Sequence, residues 1–444
     1  MQETFNPLFT LDPSRSYPTL VRGSGAYLYD DQGQQYLDAI AGIAAVSLGY
    51  GRREIVAAIA AQAEQLPFAA SNIFGNIPAA RLARRLVDQS PHVFGSVHFT
   101  SGGSEAVETA FKICRQYFYD QGLSDKHLVI SRWTSYHGAT LGALSATGHK
   151  GRRKKFIPLL KDWPHIPPAY CYRCPYDMAY PACDMACARA LEKQILDIGA
   201  EKVMAFIAEP VVGAAGGAMV PPAEYWPMVR DICTRHQVLL IADEVLTGFG
   251  RTGEMFALDH WQTSADLVIM AKGISSGYAP LGAIGVSRRI RSFFESRQTP
   301  LDHIFTFAAN PVSTAAALCV MDILENESLV SHARTVGKYM HQQFKALNRF
   351  PIVGDIRGLG MMAGIELVKD KQTKQPFDPA AGMAARLGKA ALKKGLVVYP
   401  GAGVVNGTAG DVISLFPPLI FTQEHVDEMI GKLVSAIQET IDTL

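Results

Sequence analysis

Between about residues 95 and 290 the chain alternates short apolar runs with amphipathic stretches. That alternation confines it to strands and helices built around a largely parallel sheet. The candidate strands are Val97 to Thr100, Leu128 to Ser131, Val203 to Ala208, Val238 to Ala242 and Leu267 to Met270. Between them, Ser104 to Phe118 sets Ala106, Ala110, Ile113 and Tyr117 at helical spacing. At 444 residues the chain exceeds the length at which one core stops growing, so two packed lobes are expected. Past Pro311 the pattern turns to longer helices, the last carrying Val426, Met429, Ile430, Leu433, Ile437 and Ile441 as one apolar stripe. The first 50 residues contain a hairpin-like stretch, GAYLYDDQGQQYLD, expected to pack with this carboxy-terminal lobe.

Lys plus Arg is 42 against 41 for Asp plus Glu, which leaves no net field to draw in nucleic acid or an anionic membrane. The one basic run, KGRRKK from Lys150 to Lys155, lacks interleaved aromatics and is read as a solvated loop. The amino terminus, MQETFNPLFTLD, has neither the basic nor the apolar region of a secretory signal. No apolar run approaches the length of about 18 residues that spans a bilayer. A cytoplasmic location is expected, with the seven cysteines mostly reduced.

Three segments carry chemistry. In VHFTSGGSEAVETAFKICRQ a strand runs through Ser101, Gly102, Gly103 and Ser104 straight into a helix, so free N–H groups and a positive helix end converge as in a phosphate cradle. Alone, such a turn is more often just a cap, and without a following Lys it is not a Walker loop. In VLLIADEVLTGFGRTG a buried-strand pattern ends in Asp243 and Glu244, where open α/β sheets bind ligands. A strand-end acid bonded to its own loop would look the same. In DLVIMAKGISSGYAPLGA a third strand ends at Lys272 between small residues, where a lysine can be desolvated and used as a Schiff-base nucleophile. A solitary strand-end lysine is usually a surface residue; the ordered combination of phosphate turn, acid and lysine has no ready structural explanation.

With YLYDDQGQQYLD, SGGSEA, SYHGAT, AEPVVGAAGG, ADEVLTGFGRTG, AKGISSGYAPLGA, FTFAANP and GDIRGLGMMAGIEL in order, the chain resembles the class III aminotransferases over most of its length. The resemblance implies an α/β, fold type I enzyme. A large domain (61–310) with a mostly parallel seven-stranded sheet would bind pyridoxal 5'-phosphate (PLP). A smaller α+β domain would come from both chain ends, residues 1–60 and 311–444. Lys272 would hold the coenzyme as a Schiff base and Asp243 would pair with its ring nitrogen. Val245 and Tyr136, with His137 beside it in SYHG, would enclose the ring, and Gly102, Gly103 and Ser104 would hold the phosphate. Glu209 would line the substrate side, and Thr306 would reach the phosphate of a neighbouring subunit in a homodimer. The implied reaction is ping-pong transfer of an amino group from an amine or omega-amino compound to a 2-oxo acid such as pyruvate. The alternatives are decarboxylation, racemisation or an internal amino shift on the same fold, or a non-catalytic coenzyme-binding protein.

The chain departs from the family pattern in its carboxy-terminal lobe. Where many members carry an arginine for the substrate carboxylate, this chain has Ser414, or Gly407 in the amine-transaminase alignment. Ala44 stands where a tryptophan is common. Ala44, Phe74 and Ser414, with Ile43 and Phe416 as apolar lining, are the expected substrate pocket. The glycines Gly358, Gly360 and Gly364 lack the spacing of a dinucleotide fingerprint. Cys171, Cys174, Cys183 and Cys187, a C-x2-C pair followed by a C-x3-C pair, have the spacing of a structural zinc site, with free thiols or a surface disulfide as the alternatives.

Overall fold

The computed structural model describes residues 16–90 and 93–444 together with residues 9, 11 and 12. Part of the expected amino-terminal segment, residues 1–8, 10 and 13–15, lies outside the described residues, and so does most of the stretch tested for a secretory signal. Among the described residues no helix is long and apolar enough to cross a membrane.

The centre is a seven-stranded sheet in the order Ser96–Thr100, Gly282–Val286, Leu267–Met270, Leu239–Asp243, Val203–Ala208, Leu128–Arg132, His165–Ile166. Gly282–Val286 runs antiparallel to both its neighbours, and the strands from Leu267–Met270 onward pair in parallel. Leu239–Asp243, Leu267–Met270 and Val203–Ala208 are buried throughout, as expected of parallel strands covered on both faces. Gly282–Val286 was not among the candidate strands, because two glycines in five residues weaken a strand signal. The glycines are there for space: a Cβ on Gly282 would lie 2.4 Å from the Gly102 carbonyl oxygen, and one on Gly285 would lie 2.5 Å from the Phe94 ring.

Gly103–Tyr119 follows Ser96–Thr100 after two residues and buries Ala106, Val107, Ala110, Ile113 and Cys114 against the sheet. A second sheet joins Leu20–Ser24, Tyr27–Asp30 and Gln35–Asp38 to Leu396–Val397, which pairs in parallel with Gln35–Asp38. The two ends of the chain thus share one sheet. Tyr27 also donates to Glu428 at 2.8 Å on the final helix, Gln423–Asp442.

A third sheet, antiparallel, orders Val353–Leu359, Met362–Leu367, Ala409–Leu415 and Tyr399–Val405. It falls where the sequence pattern suggests helices; the glycines in its strands weaken the strand signal. The glycine cluster is its first hairpin: Gly360 turns with φ +58°, and a Cβ on Gly364 would strike the Gly217 backbone.

The expected zinc site does not form. Among the described residues no group of three or more His, Cys, Asp or Glu is placed to hold a metal. Cys171 is exposed on a short turn, Cys171–Arg173, whereas Cys187 belongs to the helix Ala186–Ile198 and packs against the main hydrophobic core. Burial pushes the Cys187 thiol up to about 11, with Cys171 and Cys183 adding to the rise. All seven cysteines are free.

Candidate active site

The parallel strands end on one side of the sheet, and three of their ends build the floor of a cavity of about 540 Å³. Asp243, the last residue of Leu239–Asp243, is almost fully buried. It accepts from the Val245 N–H at 3.1 Å and lies 2.6 Å from His137 Nδ1. Because a carboxylate can only accept, Nδ1 carries the proton. His137 is held in turn by its backbone N–H, which donates to Thr147 Oγ1 at 2.9 Å, and its buried Nε2 has no partner in the protein.

Lys272 follows Leu267–Met270 after one residue and adopts a left-handed backbone, φ +48°. For a non-glycine residue that conformation costs on the order of 1 kcal/mol or more, and here it turns the side chain into the cavity. Burial pushes its ammonium down to about 8, against the opposing pull of Asp243 and Glu209. A substantial neutral, nucleophilic fraction therefore exists near neutrality. Glu209, just past Val203–Ala208, accepts from the Gly213 N–H at 2.9 Å and the Tyr136 N–H at 3.2 Å. Burial raises its pKa.

The wall opposite is the turn into Gly103–Tyr119. This helix starts without a side-chain cap, and no atom lies within 4 Å of where a Cβ on Gly102 would be. Ser104 Oγ accepts from the Ala139 N–H at 3.0 Å, and the Ser101 N–H donates to Glu105 at 2.8 Å. Uncapped N–H groups around open space suit a phosphate. Gly103 is pinned, since its Cβ would lie 3.2 Å from Val245.

Gly102, Gly103, Ser104, Tyr136, His137, Glu209, Asp243, Val245 and Lys272 all line this one cavity. Ala44, Phe74, Ser414 and Phe416, expected in the pocket, do not line it, and neither does Thr306, whose expected place is a neighbouring subunit's site. Ala44 is buried between Ile43 and Ala45, which do line it; Ser414 is fully buried with its hydroxyl unpartnered; Phe74 and Thr306 are exposed. Phe416 is buried elsewhere in the core. The sequence did not single out Arg152 or Tyr399, which meet at the cavity rim with Arg152 Nη2 donating to the Tyr399 hydroxyl at 2.8 Å.

A buried lysine, a carboxylate held by a histidine, and an uncapped helix end in front of open space fit PLP group by group. On this fold they define a PLP-dependent transferase of fold type I. Residues 13–437 match the family model of class-III aminotransferases. The putrescine–pyruvate aminotransferase of Pseudomonas aeruginosa is 36% identical, over 95% of this chain and 90% of its own. The amine transaminase of an uncultivated Pseudomonas species, solved with PLP bound, is 37% identical over 99% of both chains, with a TM-score of 0.91. An (S)-enantioselective omega-transaminase from Thermomicrobium roseum is 35% identical over 98% of this chain and 97% of its own, with a TM-score of 0.92. The chain belongs to the class-III aminotransferases.

Proposed function

We propose that this aminotransferase moves an amino group from an amine or omega-amino compound to a 2-oxo acid such as pyruvate, in two half-reactions at one site. The observation that carries the reading is the buried Lys272 in one cavity with the His137-held Asp243 and the uncapped turn at Gly102. PLP, when bound, supplies a ring that withdraws the electron pair left when the donor loses its proton. Asp243, oriented by His137, would stabilise a protonated ring nitrogen, and Gly102, Gly103 and Ser104 would hold the phosphate. Tyr136 and Val245 would bound the ring and keep water from it. Lys272 Nζ would take the proton from the nitrogen-bearing carbon of the donor and deliver it to the coenzyme's C4' carbon, and carry it the other way in the second half-reaction.

Ser414 and Gly407, the positions where the family pattern sets an arginine, offer no fixed cation to a donor's α-carboxylate, which supports a donor without one. The Pseudomonas aeruginosa relative is named for such a diamine and for pyruvate. We also propose a homodimer with shared sites, acting in the cytoplasm. Thr306 lies outside its own cavity on a surface where Ile304, Phe307, Ile73, Phe74 and Ile77 are all more than half exposed, and a second copy would cover it. The test is a panel of amines and α-amino acids assayed for pyruvate-dependent alanine formation. Simple primary amines are expected to be the better donors; a strong preference for ornithine or glutamate would overturn the donor class.

A further inference from the structure

The cavity floor leaves the acceptor unexplained: a 2-oxo acid brings a carboxylate to a site that already holds Glu209 and Asp243. Among the described residues, Arg152 is the only lysine or arginine besides Lys272 that lines the cavity. It lies in the short helix Lys150–Arg153, within the basic run that reads from sequence as a solvated loop. The helix is fastened to the large lobe. Arg153 donates to the carbonyls of Leu144, Ser145 and Thr147, and the His149 ring accepts from the Arg152 N–H at 3.3 Å.

The Arg152 guanidinium is oriented from two sides. Its carbon stands 4.8 Å from the centre of the Tyr136 ring, and Nη2 donates to Tyr399. Among the described residues it has no carboxylate partner, so its other N–H groups are available. The Tyr399 hydroxyl accepts from Arg152 and keeps its own proton to donate. Tyr399 pairs in register with Ser414 on the neighbouring strand. Two residues before Arg152, the Lys150 side chain fills the space beside Gly407, where a Cβ would lie 2.4 Å from its Cδ. The helix thus lies against the third sheet at both places where the sequence lacks a cation.

We propose that Arg152, held by Tyr399, binds the carboxylate of the 2-oxo acid acceptor. This rests on the aminotransferase reading of the same cavity. A guanidinium fork matches a carboxylate, and at an exposed rim it can swing away when a donor without a carboxylate enters.

The test loads the apoenzyme directly with pyridoxamine 5'-phosphate, which bypasses the amine donor, and measures the single-turnover reaction with pyruvate and with propanal, an acceptor without charge. Losing a hydrogen-bonded charge pair should lower kcat/KM for pyruvate about 10- to 100-fold in Arg152→Gln, with propanal changed less than about 3-fold. Arg152→Lys should restore part of the loss, and Tyr399→Phe should cost pyruvate a smaller factor. Propionate binding, followed by calorimetry, should weaken by a similar factor in Arg152→Gln. An unchanged pyruvate constant would overturn the proposal, and so would an equal fall for both acceptors, which marks a role in coenzyme or fold. Failure of the amine-donor reading would show in the donor panel instead.

Discussion

The floor and the rim of the cavity are built by different means. The floor consists of residues at or next to the ends of central strands, buried and locked by short-range bonds: Asp243 to His137 and Val245, Glu209 to Gly213 and Tyr136. The rim takes Arg152 from a four-residue helix and Tyr399 from a strand 247 residues later, both on the solvent side. Buried groups on rigid strands hold chemistry in place. Exposed groups on short elements set which molecule enters, and substitutions there alter choice of substrate before they alter the reaction.

The comparison breaks most sharply at the floor. Lys272→Ala should lower turnover by at least about 10³-fold, because it removes both the nucleophile and the proton carrier, while non-covalent PLP binding stays measurable by equilibrium dialysis. Retained turnover would remove Lys272 from the chemistry. Asp243→Asn keeps the shape but leaves a ring cation unpaired, and should cost about 10²- to 10³-fold in kcat. Coenzyme content measured beside the rate separates this from simple loss of PLP.

Lys272 also makes a prediction for the apoenzyme. Its folded-state pKa is lowered from the ordinary 10.5 to about 8, so between those values the unfolded chain binds more protons than the folded one. Stability in urea should therefore rise with pH across that window, by up to about 3 kcal/mol, and Lys272→Met should lack this increment. Identical pH profiles for the two proteins would show that the lysine is not desolvated. The smallest effect concerns the proposed shared site: Thr306→Ala should weaken PLP retention about 10-fold or less, with the dimer intact in light scattering. A monomer with full activity would remove the subunit-sharing idea.

The floor was legible because each of its parts is local in sequence. An apolar run ending in Asp243, another ending in Lys272, and Ser101 through Ser104 opening a helix each state their geometry within a few residues. The rim was not legible. Nothing within KGRRKK distinguishes Arg152 from its neighbours, and the contacts with Tyr136 and Tyr399 that set it apart exist only after folding. The cysteine spacing misled for a related reason: it suits four thiolates, but Cys187 packs into the core while Cys171 stays exposed. The third sheet was hidden by the glycines that its close backbone contacts require.

The central claim is that nitrogen rests on the enzyme between two half-reactions. It is tested most directly by adding a simple primary amine alone to the PLP-loaded protein, recording the spectrum, and then adding pyruvate. Stoichiometric conversion of the coenzyme to its amine form, followed by about one alanine per site on adding pyruvate, is the predicted result. A coenzyme spectrum that returns unchanged while the donor is decarboxylated, racemised or rearranged would contradict it.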